Sequence, residues 1–125
     1  MNTIQISDGE LLDKYSILYI KLKNIKDPIK LQNIQKEFNY LHEKILKFKN
    51  IKYKRLLKKL ININKKLWKI EDDIRDKERE KEFDSQFIAL ARKVYITNDL
   101  RFKIKNQINN LNKFSFKEEK SYKKY

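Results

Sequence analysis

The longest unbroken helical pattern in this chain spans residues 51–82, which read IKYKRLLKKLININKKLWKIEDDIRDKEREKE. Its apolar side chains recur at alternating intervals of three and four residues, which places them on one side of an α-helix. They are Tyr53, Leu56, Leu60, Ile63, Leu67, Ile70 and Ile74. At about 1.5 Å per residue, the helix is about 48 Å long if it is straight. The pattern predicts one long amphipathic helix that ends in the charge run of residues 75–82.

Three more helices are predicted from their start signals. Ser7 and Glu10 have the spacing of a capping box. In this motif the serine side chain accepts a hydrogen bond from the backbone N–H three residues on, and the glutamate side chain bonds back to the backbone N–H of the serine. Asp27 before Pro28 is an N-cap followed by a first-turn proline, and Asp84 is a third N-cap. Four amphipathic helices with short links predict a single all-α domain, an antiparallel four-helix bundle or long helical hairpins. The predicted helices span residues 8–25, 28–49, 51–82 and 85–112, and the tail spans residues 113–125.

Smaller features refine this architecture. Residues 3–6 alternate in polarity, and together with residues 114–116 they predict short extended pieces near the termini. The heptads sustained in helices two and three predict a protruding coiled-coil arm. Because such arms often pair with a second copy, we expect a homodimer.

Composition excludes several classes of protein. Among 125 residues there is no Cys, one Gly, one Pro and one His. Disulfides, thiol chemistry, His-cluster metal sites and glycine-rich phosphate loops are therefore excluded. The N-terminus has no signal-peptide pattern, and no segment approaches the ~18 apolar residues of a membrane helix. We expect a cytoplasmic protein without membrane insertion.

The net charge of +14 has two interpretations. A basic domain of this size suggests a polyanionic partner. However, 26 of the 31 basic residues are Lys, alongside 17 Ile and 12 Asn, a bias that AT-rich coding sequence produces. The net charge of residues 21–66 is +12, whereas the net charge of residues 67–84 is −3. We interpret the lysines as a solvated surface, so a nucleic-acid partner is not the first expectation.

Helix three carries the first candidate binding residues. Trp68, Glu71, Asp72 and Arg75 are three or four residues apart and share one side of the helix. The indole ring offers a stacking surface, the guanidinium can hold a phosphate or carboxylate, and the acids can bind sugar hydroxyls or a cation. The alternative is an exposed helix face with ion pairs one turn apart.

Helix four carries the second group, where Thr97 and Arg101 interrupt the apolar stripe. Burying polar groups there is costly unless they are paired, so they either fix the helix register or line a site. In an antiparallel hairpin this group faces the polar residues of helix three, and the start of helix one can close the cluster. The predicted site comprises Trp68, Glu71, Asp72, Arg75, Arg92, Tyr95, Asn98, Asp99, Arg101, Asp13 and Lys14.

These residues lie in strings that look like those of a known group of proteins. The strings are ISDGELLDK (6–14), LWKIEDDIR (67–75), FIALARKVY (87–95) with Asn98-Asp99 and Arg101, and EEKSY (118–122). They resemble an uncharacterised family of small all-helical proteins from bacteria and their viruses. The Leu-Trp-x-x-Glu-Asp…Asn-Asp-x-Arg theme is also similar to a second uncharacterised helical family, associated with surface-polysaccharide and glycosyltransferase gene neighbourhoods. Neither resemblance supplies a reaction, but both favour the site interpretation.

Three functions follow as hypotheses. The first is a binding or accessory module with a polar cleft between helices three and four for an anionic small molecule, such as a sugar phosphate or nucleotide sugar, without a cofactor. The alternative is a nucleotide pyrophosphohydrolase-like enzyme in which Glu71, Asp72, Glu78 and Asp99 hold Mg²⁺. Helix four offers only one acid for that purpose. The second alternative is nucleic-acid binding through helices two and three, for which no known motif is present.

Overall fold

The computed structural model describes residues 1–124 and consists of four α-helices. They are α1 (Asp8–Asn24), α2 (Pro28–Ile45), α3 (Ile51–Arg79) and α4 (Ser85–Asn110). The prediction of an all-α bundle is therefore confirmed. Residues 1–124 contain no strand, so the extended pieces predicted near the termini do not form a sheet, and Phe114 instead lies in a turn.

The helix starts follow the predicted caps. Ser7 Oγ accepts the N–H of Glu10 at 3.1 Å, and the Asp27 and Asp84 carboxylates accept N–H groups at 3.0 and 2.9 Å. Asn50 caps α3 in the same way at 2.9 Å. The capping box of α1 is only half formed, because the Glu10 carboxylate bonds to Lys105 instead of reaching back.

All four helices end earlier than the sequence predicts, and α2 and α3 do so by three residues or more. After α2, Phe48 turns inward and packs its ring 4.7 Å from that of Tyr53, so the helix stops before it. After α3, Lys81 adopts a left-handed backbone with φ 54°. The N–H of Glu82 then bonds to the carbonyl of Lys77 at 2.9 Å, which closes a Schellman motif. Glycine usually occupies that left-handed position, so this end carries no sequence signal.

Helix α1 is the central element, because it packs against each of the other three helices. Leu11, Leu18 and Leu41 form a core between α1 and α2. A second core of Leu12, Leu60 and Ile108 joins α1 to α3 and α4.

The long antiparallel pair in this structure is α3 with α4. The backbones of α2 and α3 do not approach each other, so the arm predicted from helices two and three is not formed by their pairing. The homodimer that was inferred from that arm stays a prediction. No helix within residues 1–124 is long and apolar enough to cross a membrane.

Candidate functional site

Asp13 is the centre of a buried polar network that joins three helices. Its side chain is 1% exposed and accepts hydrogen bonds from Arg101 Nε at 3.0 Å, from Arg101 Nη2 and from Asn64 Nδ2 at 2.9 Å. Asn64 also donates to Ser16 Oγ at 2.7 Å, and Ser16 donates to the Asp13 carbonyl. A buried carboxylate is tolerated only when it is paired in this way. The network therefore fixes the register of α1 against α3 and α4.

Lys105 extends the network toward the C-terminal tail. Its side chain is 9% exposed, and Nζ lies 2.8 Å from Glu10, 3.1 Å from Glu118 and 3.9 Å from Asp13. Burial alone would lower the pKa of Lys105, but the carboxylates of Glu10, Glu118 and Asp13 together outweigh it and raise the pKa above its usual value. The ammonium group therefore stays charged inside the protein.

The same ion pairing shapes Arg101. Hydrogen bonding to Asp13 raises the pKa of Arg101, against the opposing effect of burial. With its side chain 27% exposed, the guanidinium reaches the surface while two of its nitrogens remain bonded to Asp13. Arg101 therefore connects the buried network to the surface grooves.

Gly9 allows α1 and α4 to approach closely at the other end of the network. Its N–H donates to Asn109 Oδ1 at 2.6 Å. A Cβ at this position would lie 2.5 Å from the Lys105 carbonyl oxygen and 2.8 Å from Asn109 Oδ1. Only glycine fits here without a backbone shift. The adjacent N–H of Asp8 donates to Ser115 Oγ at 3.0 Å and so ties the beginning of the tail to α1.

A groove of about 410 Å³ lies between α1, α3 and α4, and we call it the Trp68 groove. Ile17 and Ile20 form its α1 side, so three helices build the cleft that was predicted between two. Arg75 and Glu71 form an ion pair of 2.7 Å along its rim, with both side chains substantially exposed. The predicted site residues that line it are Trp68, Glu71, Asp72, Arg75, Asn98 and Arg101.

A second groove of about 530 Å³ lies between α4 and the tail, and we call it the tail groove. Tyr95 and Asp99 line it from α4, and Glu118 faces them from the tail. Asn98 and Arg101 line both grooves, so these two side chains form the boundary between them. The two grooves are neighbours on either side of Arg101.

Some predicted site residues are not brought to either groove. Arg92 and Lys14 are exposed and line neither one, and Asp13 lies buried beneath Arg101. The set predicted for magnesium is also separated, because Glu71 and Asp72 line the Trp68 groove and Asp99 lines the tail groove. Within residues 1–124, no three acidic or histidine side chains converge into a metal site.

The predicted site omits several residues that the structure makes central. Asn64 lies four residues after Leu60 and three before Leu67, so it interrupts the apolar stripe of α3. On α4, Arg101, Lys105 and Asn109 are each four residues apart, a polar row that continues the interruption at Thr97 and Arg101. Glu118 had no comparable signal, because a carboxylate in a tail can lie anywhere.

The fold and these grooves define a small all-α protein with a polar layer shared by three helices. The chain belongs to a family of unknown function, DUF6165, whose model matches residues 2–124. Comparison with curated proteins and with solved structures gave no match.

Proposed function

We propose that this protein is a helical binding module that holds an anionic sugar derivative, a sugar phosphate or a nucleotide sugar, in the Trp68 groove. The observation that carries the proposal is that an indole ring, two carboxylates and an arginine share one groove of about 410 Å³. That volume falls within the range of small-molecule sites, about 300–1,000 Å³.

Each side chain has a role that its surroundings support. Trp68 supplies an apolar face for a sugar ring, and Glu71, Asp72 and Asn98 offer oxygen acceptors for hydroxyl groups. Arg75 is the anion partner, because its ion pair with Glu71 is exposed and one helical turn long, so exchanging it costs little. Arg101 is committed to Asp13 and acts as a fixed wall of the groove.

The wider setting is also part of the proposal. The likeness to a helical family from surface-polysaccharide gene neighbourhoods is the reason to rank sugar phosphates above other anions. In that setting the protein is a cytoplasmic accessory protein of a bacterium or a bacterial virus, working as a homodimer. Within residues 1–124 no observation brings Glu71, Asp72 and Asp99 onto one cation, so the magnesium-dependent enzyme is not the function proposed.

The test uses the single tryptophan of the chain as its reporter. Glucose 1-phosphate and a uridine diphosphate hexose are titrated while Trp68 fluorescence is recorded at constant ionic strength. We expect a saturable change. Because a hydrogen bond to a charged group contributes about 1.5–3 kcal/mol, Arg75→Gln should weaken binding about 10- to 100-fold.

Arg92→Gln is the matched control, because Arg92 is an exposed arginine outside both grooves. It should bind as the parent does. If neither probe changes Trp68 fluorescence, or if both arginine variants weaken binding equally, the proposed function is wrong.

A further inference from the structure

The tail is attached to the helices mainly through charged and polar side chains in the described part of the chain. Between residues 113 and 124 no apolar side chain is buried, and Phe114, Phe116 and Tyr122 are exposed. The Glu118 side chain is partly buried, with its Oε2 atom against Lys105. Within residues 116–124, the contacts with the helices include the ion pair of Glu118 with Lys105 and the placement of Lys120 over the Phe102 ring at 5.7 Å. A segment without apolar burial opens at low free-energy cost.

The residue that receives the tail is, in contrast, firmly fixed. Lys105 is nine-tenths buried, and its contacts with Glu10 and Asp13 come from α1 rather than from the tail. If Glu118 leaves, this ammonium group loses one of its two close carboxylate partners and keeps its position. The Glu118 carboxylate can therefore be exchanged for another anion, whereas the Lys105 ammonium group stays in place.

The charged side chains around Lys105 balance one another while the tail is in place. Glu10, Asp13 and Glu118 oppose Arg101, Lys105 and Lys120, three charges against three. Departure of the tail removes Glu118 and Lys120 together, so the net charge around Lys105 does not change, and it exposes Phe102 and Asn98 on the α4 side of the tail groove. Lys105 then keeps Glu10 as its close carboxylate partner and has room for a second one. A ligand that carries one anionic group and a flat or apolar part fits what remains.

We propose that residues 113–124 form a detachable strap whose Glu118 carboxylate occupies an anion site at Lys105, and that a soluble phosphate or carboxylate ligand binds there in exchange for the strap. The strap thereby inhibits its own site, and its release opens the site. This second site is separate from the Trp68 groove and does not depend on the proposed function.

The test compares Glu118→Gln with Glu119→Gln in the full chain. Glu119 is the matched control, because it is the adjacent carboxylate, is exposed and makes no ion pair within residues 1–124. Heteronuclear ¹⁵N relaxation follows the motion of residues 116–122. A titration with inorganic phosphate at constant ionic strength is followed at the Lys105 amide.

Glu118→Gln should make the tail mobile and should lower the phosphate midpoint, whereas Glu119→Gln should do neither. If the strap is closed about nine-tenths of the time, its release strengthens phosphate binding about tenfold. Lys120→Gln is a second variant that loosens the tail without touching Lys105, and it should change both readouts in the same direction.

Each outcome decides one part of the proposal. Equal tail motion in Glu118→Gln and Glu119→Gln would overturn the strap. A mobile tail without a phosphate response at Lys105 would overturn the anion site. Trp68 fluorescence reports the other groove, so these failures are distinguishable from failure of the proposed sugar-phosphate binding.

Discussion

Replacing Asp13 with asparagine should lower the free energy of unfolding by about 3 kcal/mol. Breaking a buried ion pair by removing one partner typically costs about 3–5 kcal/mol, because the other charge stays buried without compensation. Here Arg101 loses the carboxylate that binds two of its nitrogens, and Lys105 loses a charge 3.9 Å away. The lower end of the range applies, because the Arg101 side chain is 27% exposed and can turn toward water.

The measurement is urea denaturation followed by helical circular dichroism, with parent and variants at one pH and salt concentration. Domains of this size are stable by about 5–15 kcal/mol, so the expected loss is a large part of the total. Arg101→Gln should cost a similar amount, because it leaves the Asp13 carboxylate short of partners. The double variant should cost clearly less than the sum of the two, with a coupling energy of about 2 kcal/mol.

Lys14→Gln is the control, since Lys14 is adjacent in sequence, exposed and without an ion pair in the described part of the chain. Its effect should lie within about 0.5 kcal/mol of zero. If Asp13→Asn behaves like this control, or if the two single variants add without coupling, the buried network does not stabilise the fold as argued.

Three further predictions concern the fold as a whole. A change from glycine to alanine inside a helix usually stabilises it. Gly9→Ala should instead destabilise the protein by about 1–3 kcal/mol, because the new Cβ would lie 2.5 Å from a carbonyl oxygen; an increase in melting temperature would contradict this. Raising NaCl from 10 to 150 mM should raise the melting temperature. The basic residues within residues 21–66 make no ion pair inside the described chain, so salt screens the repulsion between them; a lower melting temperature would contradict this. Stability should decline as the pH rises above about 10. Burial, and secondarily the charge of Tyr19, raises the pKa of Tyr15, and the pKa of Lys105 is also raised. Both groups favour the protonated form in the folded state, so the free energy of unfolding should fall in an alkaline titration.

The helices were predictable because their signals are local. Ser7, Asp27 and Asp84 each begin a helix by bonding to an N–H two or three residues ahead, which needs no knowledge of the tertiary structure. The end of α3 was not predictable, because Lys81 adopts a left-handed conformation that the sequence does not mark. The sequence also did not show that α2 and α3 would not pair. The spacing of apolar residues identifies the face of a helix that is buried, but it does not identify the helix that packs against that face.

The candidate site was predictable where spacing along one helix decides it. Trp68, Glu71, Asp72 and Arg75 share a groove because they share one side of α3. Arg92 was included with the polar residues of helix four that an antiparallel hairpin turns toward helix three, but it lies outside both grooves. Contacts between distant parts of the chain, such as that of Lys105 with Glu118, depend on the path of the tail and lie beyond any local pattern.

The position of Arg101 limits what a mutation at that residue can reveal. It stabilises α1 through Asp13, and it is also the wall that separates the two grooves. Loss of ligand binding in an Arg101 variant is therefore expected whether or not the guanidinium touches a ligand. Arg75 and Glu118 are more informative, because each belongs to one groove and neither joins the Asp13 network directly. A change in ligand binding at either residue, a loss at Arg75 or a gain at Glu118, without a loss of stability is expected to arise from that groove, which makes these two the positions where function can be separated from folding.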